Sequence, residues 1–296
     1  MPLVIGAVAP HGSAIIPEAS ADAGGALGTR AAMLEVGRRF AEARPEVIFI
    51  VGPHGIQVQG QVSLSRSGRG AGMLHVDTGT LEMNVPMDIP LADAIEERAR
   101  ARGVPVARVG YGTVNAQASV LPLDWGIMTP AWFVGHGRNM VGAGHALADT
   151  YSGIATSPGP ALVVANPTRD IPRQQLVEFG KAVAEAAAAD PRRIGFIASC
   201  DWSHTHLESG IYGYHPAAKE MDALVVAAIQ NDDILSLIEL DDEFVRNAAI
   251  DGLWQLLMLE GARQVTPLTA EFLSYEAPSY FGMLVAVYEP PRPAAD

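Results

Sequence analysis

Residues 3–12 read Leu3-Val4-Ile5-Gly6-Ala7-Val8-Ala9-Pro10-His11-Gly12, an apolar run that stops at a histidine set between proline and glycine. An unbroken apolar run bounded by turn residues reads as a strand buried on both faces. Forty-three positions on from His11 the pattern returns, as Val47-Ile48-Phe49-Ile50-Val51 followed by Gly52-Pro53-His54-Gly55. Two buried strands that each end in Pro-His-Gly predict a parallel sheet whose carboxyl ends carry imidazoles. Open α/β sheets bind their ligands at those ends.

Outward from this pair the chain alternates strands and helices. A Gly/Ala-rich loop, Ala19 to Gly28, leads into a helix with apolar positions near Ala31, Met33, Leu34, Val36 and Phe40. The polar region Gln57 to Met73 contains Val62-Ser63-Leu64-Ser65, whose period of two predicts a hairpin or an edge excursion. Then follow a helix around 91–102, a short strand 106–109, and strands around 131–134 and 161–164. An Ala-rich helix over 173–189 stops at Asp190-Pro191. A strand 194–198 runs into Ser199-Cys200-Asp201-Trp202-Ser203-His204. Helices near 217–230, 234–240 and 253–260 and two strands, 272–275 and 283–288, complete the pattern. The expected fold class is α/β: a single domain, 1–296, with a mostly parallel central sheet flanked by helices and the active site at the carboxyl ends of the strands.

Composition narrows the function. A net charge of −13 without a Lys/Arg cluster argues against nucleic acid and against anionic membrane surfaces. One cysteine, Cys200, excludes an intramolecular disulfide and cysteine-based zinc sites. The start, MPLVIGAVAPHG, has neither a positive n-region nor a cleavage site, and no apolar run approaches a membrane span. The expectation is a soluble, cytoplasmic protein whose partner is a small molecule.

Three of the eight histidines, His11, His54 and His204, fall behind strands. Two neutral imidazoles and one carboxylate with open positions form the triad suited to non-haem Fe(II) and O₂; the same set can hold catalytic Zn²⁺. Rival motifs are weak. Gly142-Ala143-Gly144 lacks the rest of a dinucleotide fingerprint, and no phosphate-binding loop, His-Glu-x-x-His or Gly-x-Ser-x-Gly occurs. Of His204 and His206, one is expected to act and the other to support the frame. Asp241-Asp242-Glu243 reads as a solvated helix start.

Taken in order, Ala9-Pro10-His11-Gly12, Gly52-Pro53-His54, the segment Ser199 to Thr205, the segment Tyr212 to Asp222, and Ile250-Asp251-Gly252-Leu253 resemble the class III extradiol ring-cleavage dioxygenases, the family of the protocatechuate 4,5-dioxygenase beta subunit. The resemblance implies a single catalytic domain that opens a catecholic or aminophenol-like ring with O₂ at Fe(II), in aromatic compound catabolism. By position, it implies that His11 and His54 are metal ligands and that His204 is the acid/base beside the iron. The family's glutamate ligand is replaced by Asp251, one methylene shorter, which asks the backbone or metal to shift by roughly 1 Å. As a side chain alone, Asp251 also reads as a helix N-cap. Where many members carry Asp-His-Gly this chain has Asp124-Trp125-Gly126. Trp125 is therefore a candidate substrate-stacking residue, and His136 a candidate for the missing imidazole. A homo-oligomer, with or without a companion subunit, is expected. Two alternatives stay open: a relative of this fold that binds without catalysing, and a zinc hydrolase on the same ligands.

Overall fold

The computed structural model describes residues 3–76, 79–136 and 159–291. The opening run forms β1 (Leu3–Ala9), α1 spans Leu27–Ala43, and the second run forms β2 (Val47–Val51). Along β2, Val47, Phe49 and Val51 enter one core while Ile48 and Ile50 enter the other. Burial on both faces is why the run shows no polar alternation. Next come β3 (Val62–Ser65), β4 (Arg69–Val76), β5 (Gly79–Pro86), α2 (Ile89–Ala101), β6 (Val106–Val109), β7 (Val120–Pro122) and α3 (Trp125–Ala131). The second half holds β8 (Ala161–Pro167), α4 (Arg173–Ala189), β9 (Ile194–Ser199) and α5 (Ala217–Gln230). It closes with α6 (Asp242–Ala248), α7 (Leu253–Val265), β10 (Thr269–Glu276) and β11 (Met283–Glu289).

These strands form an eight-stranded sheet in the order β10-β11-β1-β9-β2-β8-β3-β6. Its centre is parallel, β1 on β9, β9 on β2 and β2 on β8, and β3 lies parallel to β6. The pairs β1/β11, β10/β11 and β3/β8 are antiparallel. The fold is thus α/β with a mostly parallel sheet. Helices α2, α4, α5 and α7 supply one core layer. On the other face, α1, α3 and a three-stranded sheet, β5-β4-β7, supply the second. Helices α4 and α7 pack backbone to backbone. A Cβ on Gly180 would lie 1.8 Å from the Met258 carbonyl oxygen, and one on Gly261 would lie 1.9 Å from that of Val177. Among the described residues no helix is long and apolar enough to cross a membrane.

Several elements differ from the sequence expectation. Residues 131–134 are not a strand: α3 runs to Ala131 and continues into a wide turn over Trp132–His136. A short, largely buried apolar run carries no period with which to tell a helix from a strand. The alternating Val62-Ser63-Leu64-Ser65 is β3, buried at all four positions between β8 and β6; Ser63 is buried because its hydroxyl donates to backbone carbonyls. The true hairpin is the pair β4–β5 that follows. In α1 the core stripe is Thr29, Ala32, Met33, Val36 and Phe40, whereas Ala31 and Leu34 face solvent. Asp241 caps α6, accepting from the amides of Glu243 and Phe244, as a solvated helix start should. Gly142-Ala143-Gly144 lies outside the described residues.

Candidate metal centre and pocket

Register brings the site together. Ala9 of β1 pairs with Ser199 of β9, and Val51 of β2 pairs with Ala198, so three neighbouring strands leave the sheet at one level. His11 follows β1 by two residues, Asp201 follows β9 by two, and His54 follows β2 by three. Asp251 arrives from the other side, just before α7, where Gly252 lets that chain press on β9. A Cβ on Gly252 would sit 2.7 Å from the Cβ of Cys200.

A ring nitrogen of His11, one of His54 and a carboxylate oxygen of Asp251 lie within 4.8 Å of one another. The orientation of His11 is built in. The Ser199 hydroxyl donates its proton to the Gly126 carbonyl, so its oxygen accepts from His11 Nδ1–H at 3.0 Å. That bond leaves Nε2 facing inward, 3.3 Å from Asp201 Oδ2 and 3.6 Å from Asp251 Oδ2. A lone pair opposed by two carboxylates in a buried site is stable only with a cation between them. In the metal-free protein that cation is a proton. Burial alone would lower the His11 pKa, but the charges of Asp201 and Asp251, with a contribution from Asp124, raise it to about 9. His54 moves the opposite way, lowered by burial and by the neighbouring charge on His11.

The Asp251 carboxylate is not a helix cap. Gly252 occupies the cap position of α7 with no side-chain capping bond. Asp251 Oδ1 is buried without a hydrogen-bond partner among the described residues. An orphaned carboxylate oxygen beside two imidazoles suits a divalent cation, and the shorter side chain reaches because Gly252 allows the close approach. The donor set therefore fits the metal that the sequence resemblance implies. Burial also pushes the Asp201 carboxyl above the usual carboxylate range, an effect reinforced by Asp251 and opposed by His11.

His204 stands at the rim. Its Nδ1 donates to the Ala249 carbonyl at 3.0 Å, which in the neutral ring leaves Nε2 as an acceptor, 4.0 Å from Asp251 Oδ2. Phe281 stacks on it at 5.6 Å, with Tyr212 and Tyr280 each at 5.9 Å. His206 points elsewhere, into a frame in which Asp222 Oδ2 also accepts from the Tyr275 hydroxyl and Asp222 Oδ1 from the Ser203 amide. Trp125, half exposed at the start of α3, lies over His54 with ring centroids 4.4 Å apart. His204, Phe281, Tyr212, Tyr280 and Trp125 line a cavity of about 590 Å³ that opens from His11, His54, Asp201 and His204 toward Trp125 and Tyr212.

His136 is not brought to this cavity. It is wholly buried at the end of the wide turn, its Nε2 bonded to the Pro160 carbonyl at 3.1 Å, and it does not line the pocket. Asp201, Ser199, Tyr280 and Phe281 are site residues that the sequence motifs do not single out. Asp201 had a usable signal, since it follows its strand at the same two-residue offset as His11. The aromatic wall had none.

Against this geometry, residues 6–286 match the family model described as the catalytic LigB subunit of aromatic ring-opening dioxygenase. The chain belongs to that family, whose members point to dioxygenase-type chemistry. A Clostridium acetobutylicum protein, Protein CA_C1420, is 24% identical over 269 residues, 90% of this chain and 53% of the relative. The chain thus spans about half the length of that curated relative. The crystal structure of an uncharacterized protein, JW3007 from Escherichia coli K12, superposes with a TM-score of 0.48 at 14% identity, covering 86% of this chain and 91% of that one.

Proposed function

We propose that the chain is a single-domain, non-haem Fe(II)-dependent extradiol-type dioxygenase that opens the ring of a catecholic or aminophenol-like substrate. The observation that carries this reading is the convergence of His11, His54 and Asp251 from three distant stretches of chain onto one point. Those three would hold Fe(II), which when bound supplies the redox chemistry with O₂ and acidifies the substrate hydroxyls.

The remaining residues handle the substrate. His204 Nε2, left as an acceptor by the bond from Nδ1 to Ala249, takes a hydroxyl proton from the ring and returns it later. Asp201, its Oδ1 fixed by the His11 amide at 3.0 Å, turns Oδ2 toward the centre and accepts a hydrogen bond from a substrate hydroxyl. Trp125, Phe281 and Tyr280 line the same cavity, so a planar substrate packs among aromatic rings and is oriented with water displaced.

Protein loaded with iron without oxygen should consume O₂ with a catechol and yield a yellow ring-opened product. Asp251→Asn should lower that rate by at least about 100-fold, through loss of a ligand charge. Absence of O₂ uptake across a broad catechol and aminophenol panel would overturn the reading. Stoichiometric zinc together with ester or amide hydrolysis would replace it with the hydrolase alternative.

A further inference from the structure

Resting on the ring-cleavage reading, we infer that this pocket selects aromatic diols with an uncharged, apolar substituent and disfavours those that carry a carboxylate. Three observations converge. First, Asp201, a carboxylate outside the three-residue ligand set, lies on the pocket floor at 4% exposure. Second, none of the described lining residues is lysine or arginine. The arginine behind the wall formed by Ala14 and Ile15 is committed: Arg30 donates to the carbonyls of Ala14, Ile15, Ile16, Ser20 and Ala21. An anionic substituent therefore meets like charge with no cation among those residues to offset its desolvation.

Third, the walls are apolar and roomy. Trp125, Ile211, Tyr212 and Phe281 line a cavity of about 590 Å³. A cavity of about 150 Å³ suffices for a benzene ring, so the excess admits a substituent as large as the ring itself. Ile211 is 75% exposed at the mouth, where that substituent would cover it.

The matched pair 3,4-dihydroxybenzoate and its methyl ester separates charge from shape. Binding is read from quenching of Trp125 fluorescence in zinc-loaded protein, with Trp125→Phe assigning the signal, and turnover from O₂ uptake in iron-loaded protein. The ester should bind at least tenfold more tightly and show at least tenfold higher kcat/KM. Ile211→Arg, a change at an exposed position that leaves the fold intact, should shrink the gap to under threefold by favouring the acid. Equal or tighter binding of the acid by the unmodified protein, or binding of neither compound, overturns the inference. Preferential ester binding with no O₂ uptake from either compound or from the wider catechol and aminophenol panel supports the selectivity and removes the ring-cleavage reading instead.

Discussion

His11 has a single possible orientation, and Ser199 sets it. Because the serine hydroxyl is spent on the Gly126 carbonyl, Nδ1 must be the donor and Nε2 must face Asp201 and Asp251. With its pKa at about 9, the metal-free ring carries a proton below that pH, and ligation requires the neutral ring. His54 is already neutral, because burial lowers its pKa. Metal binding near neutral pH should therefore release one proton. Affinity for Zn²⁺ should rise about tenfold per pH unit up to roughly pH 9, then level off. Calorimetry in buffers of different ionisation enthalpy counts the proton, and pH-independent affinity would mean that Nε2 is bare before the metal arrives. Of these residues, the two histidines and Asp251 were readable in the chain, while the roles of Ser199 and Asp201 were not. Their functions depend on which atoms face them, and strand spacing carries no such information.

At the scale of elements, the contact between α4 and α7 matters most for the site, since α7 begins directly after the Asp251-Gly252 turn. Gly180 and Gly261 allow each helix to touch the other's backbone, so any side chain there collides with a carbonyl rather than a movable group. Gly261→Ala should destabilise the protein by about 1–3 kcal/mol in denaturant titration, as overpacking does. It should also weaken metal binding by displacing the start of α7. A variant as stable as the parent would show that the helices can part at no cost. The amphipathic helices α2, α4 and α5 were legible to within a residue or two. The segment 131–134 reads as a strand in the sequence because four consecutive apolar residues carry no helical period. Strands β4, β5 and β7 escaped because their sheet is small and glycine-rich, with burial patterns that follow no simple alternation.

At the scale of the whole molecule, two core layers enclose one sheet, and titratable groups that folding buries couple stability to pH. His136 is the clearest case. Burial holds its pKa down to about 4, whereas the unfolded chain titrates at the ordinary value of 6.5. Between those values the unfolded state binds the additional proton, so the stability His136 contributes is present above pH 6.5 and is lost as pH falls toward 4. From pH 7 to pH 5 that amounts to about 2 kcal/mol. Denaturant midpoints should fall correspondingly in the parent and change less in His136→Gln. Parallel pH profiles for the two proteins would assign the acid sensitivity to other groups.

The amino-acid sequence by itself determined the class of fold, the two Pro-His-Gly strand ends, the carboxylate before the last long helix and the net negative charge. Each is a local property: a run without polar interruption, a turn tripeptide, a count. The tertiary structure decided what faces what. It aligned three strand ends in register, turned His206 into the Asp222 frame and His204 toward Asp251, kept His136 out of the pocket and placed Asp201 on its floor. Those outcomes arise from sheet register and helix packing, which join residues as far apart as His11 and Asp251, 240 positions. Contacts across such distances are set by the packing of whole layers, and no short stretch of chain encodes them.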